Sequence, residues 1–544
     1  MSTRATPGRV PRSPDTGPRR HGVVLLILCL GFFMTVLDVT IVNIAVPDMI
    51  SDLDSSFSQV LWVLNAYTLA FASLLLLSGR LGDTLGARRL LVFGLALFTA
   101  ASAACGAAQE PWQLIAARAV QGVGAACLLP QTLSLLTVLT PPERRGRAFG
   151  IWGAIAGVAL VAGPTLGGLL VTGLNWRWIF FVNVPVGVVT ALLALRYIPA
   201  DRARHRAGLD LTGVTLSFLA LFCLTFGMIE GQRYDWGTIA GPVSIPAVLA
   251  AGAVLVVAFL VAERWRADRD PLLPLDLLRR RTYGLMNLST ALLMFAFAAL
   301  LLLLTLYLQS VRNMSALAAG LTMSPTPLVA VLLSPVVGHF AGLGRGGKYA
   351  MVLGLVTVCG GLLWLRAIAG TDTGSAALLP PLLVAGLGMS LVLAPMNTFT
   401  MHGIPQETTG AASGLVSTAR QLGTVFGVAA AGALLENRLA HELPAAVARH
   451  SATLPPALRP VLARALEGSG DLVSRLGADR AAPQPPPGLP PGAAGRLREA
   501  ADAVSADALL EALRTTLLLP AAVLGVAVLV TLAVRAPARP ADPA

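Results

Sequence analysis

Two charged side chains stand where apolar neighbours leave them little water. Asp38 sits in Leu37-Asp38-Val-Thr40-Ile-Val-Asn43, and Arg118 in Leu114-Ile-Ala-Ala-Arg118-Ala-Val-Gln121-Gly122-Val-Gly124. A carboxylate or guanidinium in such surroundings is costly unless it finds a partner or a water-filled cavity. Burial favours the protonated carboxyl group, and a nearby arginine favours the ionised one. A pair of this kind can therefore take up and release a proton as its access to water changes. A third acid, Asp83, stands in Gly79-Arg-Leu-Gly-Asp83-Thr-Leu-Gly86-Ala-Arg88-Arg89, where glycines permit a tight turn. An acid there, followed by arginines, can cap a helix end and pair across a boundary.

The elements that must carry these residues are long apolar helices. The chain has 544 residues, of which 55% are hydrophobic and 12% charged. Soluble domains hold about 25% charged residues, so an ordinary cytosolic enzyme is excluded and a many-span membrane protein is implied. The net charge of +12 suggests a nucleic-acid partner only if a folded domain has a basic face. Here the basic residues fall between apolar runs, so the expected surroundings are the lipid bilayer and not nucleic acid. The five cysteines all lie inside apolar runs without metal-ligand spacing, so neither disulfides nor a metal site is expected.

A membrane helix needs about 20 apolar residues. Fourteen segments qualify: 23–46, 59–78, 89–107, 113–135, 149–171, 178–197, 209–229, 239–261, 284–308, 316–340, 349–369, 377–399, 411–435 and 512–534. Asp38 is the one acid well inside any of them. It lies roughly 12 Å from the far edge of the first segment, and Arg118 roughly 9 Å from the same edge of the fourth, so one cavity can hold both. With the N-terminus inside, 25 of the 40 basic residues fall in inside segments and 3 in short outside loops. That bias places both termini in the cytoplasm.

The organisation expected is a cytoplasmic tail over 1–21, disordered by composition, and a six-helix bundle over 22–197. Two inserted helices with basic loops occupy 198–281. A second six-helix bundle over 282–535 includes a long outside loop, 436–510, and a tail follows at 536–544. The loop carries a proline-rich run at 483–491, and its flanks, 438–466 and 494–510, have helical periodicity suited to the outer leaflet. A weak echo of the 79–89 turn appears at Gly338 and Gly344-Arg345-Gly-Gly-Lys348, which fits two related halves. The stretch from Gly342 to Gly347-Lys348 mimics a phosphate loop, but Tyr349 replaces the Ser/Thr and no strand precedes it, so an ATP-driven pump is disfavoured. The fifth segment holds Gly153, Gly157 and Gly163-Pro164-Thr165-Leu-Gly167-Gly168. Small residues let membrane helices approach closely, and a proline adds a bend.

The stretches 79–89, 114–126 and 157–168 resemble signatures of the major facilitator superfamily. Three further stretches narrow the resemblance: 37–47, the run Trp176-Arg-Trp-Ile-Phe-Phe-Val-Asn-Val-Pro-Val-Gly187, and Gly410-Ala-Ala-Ser-Gly414 through Arg420-Gln421-Leu-Gly423. Together they look like the fourteen-span drug:proton antiporters of the EmrB/QacA type. The resemblance implies an all-α membrane fold of two six-helix bundles plus two inserted helices. It implies proton-coupled export of hydrophobic small molecules from the cell, with no enzymatic activity and no cofactor; a monomer is expected. Gly79, Asp83, Gly86, Arg88 and Arg89 would form a gating element, and Gly163, Pro164, Gly167 and Gly168 an antiporter motif. Asp38 and Arg118 would couple protons. Helical periodicity puts Phe33, Trp62, Tyr67, Gln121, Gln131, Gln309, Asn397 and Arg420 on the wall of a substrate cavity. One departure concerns membrane acids in the second and tenth spans of relatives that accept dications. Asn65 stands near the former place and no acid in the latter, which argues against divalent-cation export. A proton symporter of the same fold is the alternative, disfavoured by the glycine–proline run.

Overall fold

The computed structural model describes residues 18–200, 210–266, 272–273, 275–340, 345–451, 458–459 and 493–535. The expectations for 1–17, 201–209, 267–271, 341–344, 460–492 and 536–544, including the proline-rich run, lie outside these residues. The long helices are α1 (Pro18–Ile41), α2 (Phe57–Leu85), α3 (Ala87–Ala107), α4 (Pro111–Leu139), α5 (Pro142–Gly173) and α6 (Asn183–Tyr197). Then come α7 (Leu211–Glu230), α8 (Ile245–Trp265), α9 (Arg281–Leu306), α10 (Pro325–Phe340), α11 (Arg345–Ile368), α12 (Ser375–Thr400), α13 (Thr409–Ser451) and α14 (Leu518–Leu532). Among the described residues, thirteen helices are long and apolar enough to cross a membrane. The expected span at 411–435 is helical as part of α13 but is not one of the thirteen. Arg420, Gln421 and a string of small residues make it less apolar than its neighbours.

Local signals set the helix ends. Ser56 and Gln59 form a reciprocal capping box at the start of α2. Asp210 caps α7 by accepting from the Gly213 N–H at 3.1 Å. Gly86 alone separates α2 from α3, with φ of +101°, a backbone geometry a side chain would strain.

The helices form two bundles. In the first, α2 and α3 pack on α4, and α1 on α5 and α6; its core includes Leu75, Leu95, Phe98 and Phe149. In the second, α9 packs on α13 and α14, and α11 on α12 and α14; Met286, Leu355, Val392 and Leu524 lie in its core. The bundles meet along two helix pairs, α5 with α10 and α2 with α13. Both seams depend on glycine. A Cβ on Gly146 would strike the carbonyl of Gly338, and one on Gly79 would come within 2.8 Å of the Gly414 Cα. The inserted helices α7 and α8 pack on each other, and α7 on α2.

The described parts of the long loop's flanks pack on each other. Helix α13 runs on to Ser451, about 24 Å past residue 435 at 1.5 Å per residue. The helix Ala493–Thr516 packs back along it, burying Leu439, Ala446, Val504 and Ala508. Arg449 and Asp507 pair across them at 2.9 Å. Each flank has an apolar face, and each covers the other's. Two acids just beyond the apolar segments are enclosed as well: Glu230 and Glu263, at the ends of α7 and α8, are 2% and 0% exposed. Neighbouring helices and chain cover them. Glu230 accepts from Asn65 at 3.3 Å and Arg233 at 3.1 Å, and Glu263 from the Leu273 N–H at 2.9 Å.

Candidate functional site

Asp38 stands one turn before the end of α1, where the chain tightens into a short 3₁₀ turn at Val42–Ala45, and it is fully buried. Arg118, from the first half of α4, donates through Nη1 to Asp38 Oδ2 at 2.5 Å and to Gln121 Oε1 at 2.8 Å. Its Nε donates to the Val63 carbonyl at 3.2 Å. Gln121, one turn along the same helix face, donates to Asp38 Oδ1 at 2.8 Å. Asn183 adds a donor to Oδ1 at 3.4 Å and another to Ser102 Oγ at 3.2 Å. The Arg118 guanidinium lies over the Tyr67 ring, 4.3 Å from its centroid. Asp38, Arg118, Tyr67 and Gln121 therefore form one enclosed network, and Arg118 points to its partner instead of snorkelling to a surface. Removing either member of such a pair leaves an uncompensated buried charge, at a cost of about 3–5 kcal/mol.

Asn183 and Ser102 were absent from the sequence reading. Asn183 lies in the 176–187 run, and a lone amide in an apolar helix was the available signal.

At the end of the bundles that carries the 79–89 turn, Asp83 reaches α13. The Gly410 N–H donates to Asp83 Oδ1 and the Ala411 N–H to Oδ2, each at 2.7 Å. Both donors belong to the first turn of α13, where backbone N–H groups lack helical acceptors and favour an anion. Gly79 packs beside them, Arg88 donates to the Leu195 carbonyl on α6, and Arg89 is exposed.

In α5, Gly163 packs against Thr40 of α1, and a Cβ on Gly167 would sit 3.0 Å from Ile41. These glycines press α5 onto the helix that carries Asp38. Gly168 has open space around it, and the Pro164 side chain lies outside the described set.

A third group bridges the bundles. Phe32 of α1 stacks on Trp152 of α5, with centroids 4.0 Å apart and planes 11° from parallel. The Arg420 guanidinium of α13 lies over the other bundle's Trp152 at 5.2 Å, and its Nη2 donates to Asn397 Oδ1 of α12 at 2.7 Å. Sequence reading named Arg420 and Asn397 but passed over Trp152, and it took Phe33 where Phe32 makes the stack; Phe33 is half-buried. Three other wall candidates lie elsewhere. Trp62 lies 6.3 Å from Phe226 on the inserted α7. Gln131 donates to the Ser78 carbonyl at 2.9 Å within the first bundle. Gln309 is exposed beyond the end of α9. A one-dimensional period gives a helix face but not the neighbour that covers it.

Two bundles of membrane-length helices meeting at a polar centre, together with the matches that follow, mark the protein as a transporter and not an enzyme. The sequence profile of the Major Facilitator Superfamily matches residues 28–428, and the chain belongs to that family. It is 35% identical over 441 residues to the multidrug resistance protein Stp of Mycobacterium tuberculosis, covering 79% of this chain and 80% of Stp. It is 33% identical over 446 residues to the tetracenomycin C resistance and export protein of Streptomyces glaucescens, covering 81% of each. The human organic anion transporter MFSD10 superposes with a TM-score of 0.56, covering 94% of this chain and all of that one. At 14% identity that likeness speaks for the fold alone.

Proposed function

We propose that the protein is a proton-coupled antiporter of the fourteen-span EmrB/QacA type that exports drugs, antibiotics or other hydrophobic small molecules. The membrane is the plasma membrane, α13 joins the thirteen apolar helices to make fourteen spans, and both termini are cytoplasmic. The protein works as a monomer without a cofactor. The observation that carries this reading is the Asp38–Arg118–Gln121 network. It is a carboxylate held by a cation in the core of one bundle, two residues from the helix face that Gly163 and Gly167 press against. The kinship with named resistance and export proteins supports the direction of transport.

Mechanistically, the Asp83 latch closes the cytoplasmic side, and the bundles part on the opposite side to release substrate. Asp38 takes up a proton from outside; its hold on Arg118 and Gln121 then weakens and the α1–α5 contact shifts. Reopening toward the cytoplasm releases the proton. Substrate and proton thus cross on opposite half-turns of one alternating-access cycle.

Everted membrane vesicles test this. With a proton gradient followed by fluorescence quenching, addition of a transported compound dissipates the gradient through the wild-type protein but not through Asp38→Asn. A compound that enters such vesicles only without a gradient, or only with ATP, overturns the reading. A symporter would instead draw substrate out of them along with protons.

A further inference from the structure

The group between the bundles has donors without acceptors. Trp152 is 1% exposed, and its indole Nε1 has no hydrogen-bond partner. The Nε of Arg420, whose guanidinium lies over the same Trp152 ring, is likewise buried and unpartnered. Native structures leave few buried polar groups unsatisfied, and each one calls for an explanation. Two N–H donors on one stacked pair lack an acceptor, and one of them carries a positive charge. Asn397 occupies only Nη2. Among the described residues, the ion pairs involve other side chains, and Asp38 is already held by Arg118 and Gln121. A cationic ligand at this centre would meet an unneutralised arginine and no free carboxylate.

The position suits a ligand. Trp152 lies about 15 Å along α5 and Arg420 about 16 Å along α13 from the end that carries the latch, both within the membrane-length helices. Trp152 comes from one bundle and Arg420 from the other, so separation of the bundles exposes both. Phe32, stacked on Trp152, offers its outer ring face as a flat apolar surface.

We propose that the exported substrate is an aromatic anion. An ionised acidic oxygen accepts from Arg420 Nε and Trp152 Nε1, and a planar ring system lies on the outer face of Phe32. This names the substrate class and rests on the export reading above. The anion contact is charge-assisted and the ring contact is not, so the two separate by chemistry.

The test uses three probes on the purified full-length protein: pyrene-1-carboxylate, its uncharged methyl ester, and ethidium, an aromatic cation. Binding is followed by probe fluorescence, and export of each by the gradient assay in everted vesicles. Pyrene-1-carboxylate binds best, and Arg420→Gln weakens it by roughly 10- to 100-fold, as expected for loss of a charged hydrogen bond. The methyl ester binds wild type and Arg420→Gln alike. Arg420→Lys recovers part of the carboxylate affinity, and Asn397→Ala, which frees the guanidinium from its holder, weakens it less than Arg420→Gln. Those two variants decide the matter if Arg420→Gln does not fold. Tighter binding of ethidium than of the carboxylate overturns the proposal, as does failure of the carboxylate to bind or an affinity unmoved by these variants. Export of ethidium with the carboxylate ignored leaves the exporter standing and sinks the anion site. Arg420-dependent carboxylate binding without gradient-driven export of any probe does the reverse.

Discussion

Asp83→Asn isolates the latch. The wild-type carboxylate accepts two backbone N–H groups at 2.7 Å, from Gly410 and Ala411. Asparagine has one acceptor oxygen, so one contact survives. The other becomes an amide N–H facing a backbone N–H, and the charge that complements the start of α13 is lost. A hydrogen bond to a charged group contributes about 1.5–3 kcal/mol, and the helix terminus adds about 0.3–2 kcal/mol. Asp83 is only half-buried, and solvent screens part of this. A net loss of about 1–2 kcal/mol is reasonable, and at 1.4 kcal/mol per tenfold it shifts the closed–open balance of the cytoplasmic side roughly 5- to 30-fold toward open. The assay is thiol labelling of a single cysteine at Ser413, which is fully buried in α13 beside the latch. The five native cysteines are removed first. Labelling of Ser413→Cys accelerates by the same factor in the Asp83→Asn background. Equal rates with and without the substitution would refute the latch and leave Asp83 a turn residue.

The remaining expectations concern the same machinery. Asp38→Asn keeps part of the hydrogen bonding at position 38 but leaves Arg118 buried without its counter-charge, so it destabilises the first bundle by up to about 3–5 kcal/mol and abolishes gradient-driven exchange; wild-type exchange in a folded Asp38→Asn protein would exclude Asp38 as the coupling group. Arg118→Ala leaves Asp38 buried without its cation, destabilises the first bundle by about 3–5 kcal/mol, and moves the pH profile of exchange upward; an unchanged profile would refute the coupling. Gly410→Ala puts a methyl group against the Gly79 carbonyl and within 2.7 Å of the Asp83 carboxyl carbon, and overpacking of this kind costs about 1–3 kcal/mol. It should open the cytoplasmic side as Asp83→Asn does, and the double variant should shift the balance by less than the sum, because both act on one contact. Full additivity in the labelling rates would place the two residues in separate roles.

Much of this was legible in one dimension. The apolar period and the arginine bias required a multi-span helical protein, because backbone groups in lipid must be satisfied within helices. The cost of charge in apolar surroundings singled out Asp38 and Arg118, and the glycine-flanked acid singled out Asp83, each before any contact was known. What a sequence cannot carry is which side chain covers which. Asp38 and Arg118 lie 80 residues apart, and only the packing of α1 on α4 turned similar depths into a 2.5 Å contact. Asn183 and Ser102 joined that network because α6 and α3 close around it. Trp152, an unremarked residue on a glycine-rich helix, became part of the centre because α13 from the other bundle laid Arg420 across it. Trp62 and Gln131 have the right residue types on periodic helices, yet the inserted α7 and the chain at Ser78 took their faces. Glu230 and Glu263 fall just past the apolar segments, because hydropathy measures the neighbours along the chain. Burial is set by neighbours in space, and those come from helices that the local sequence does not mention.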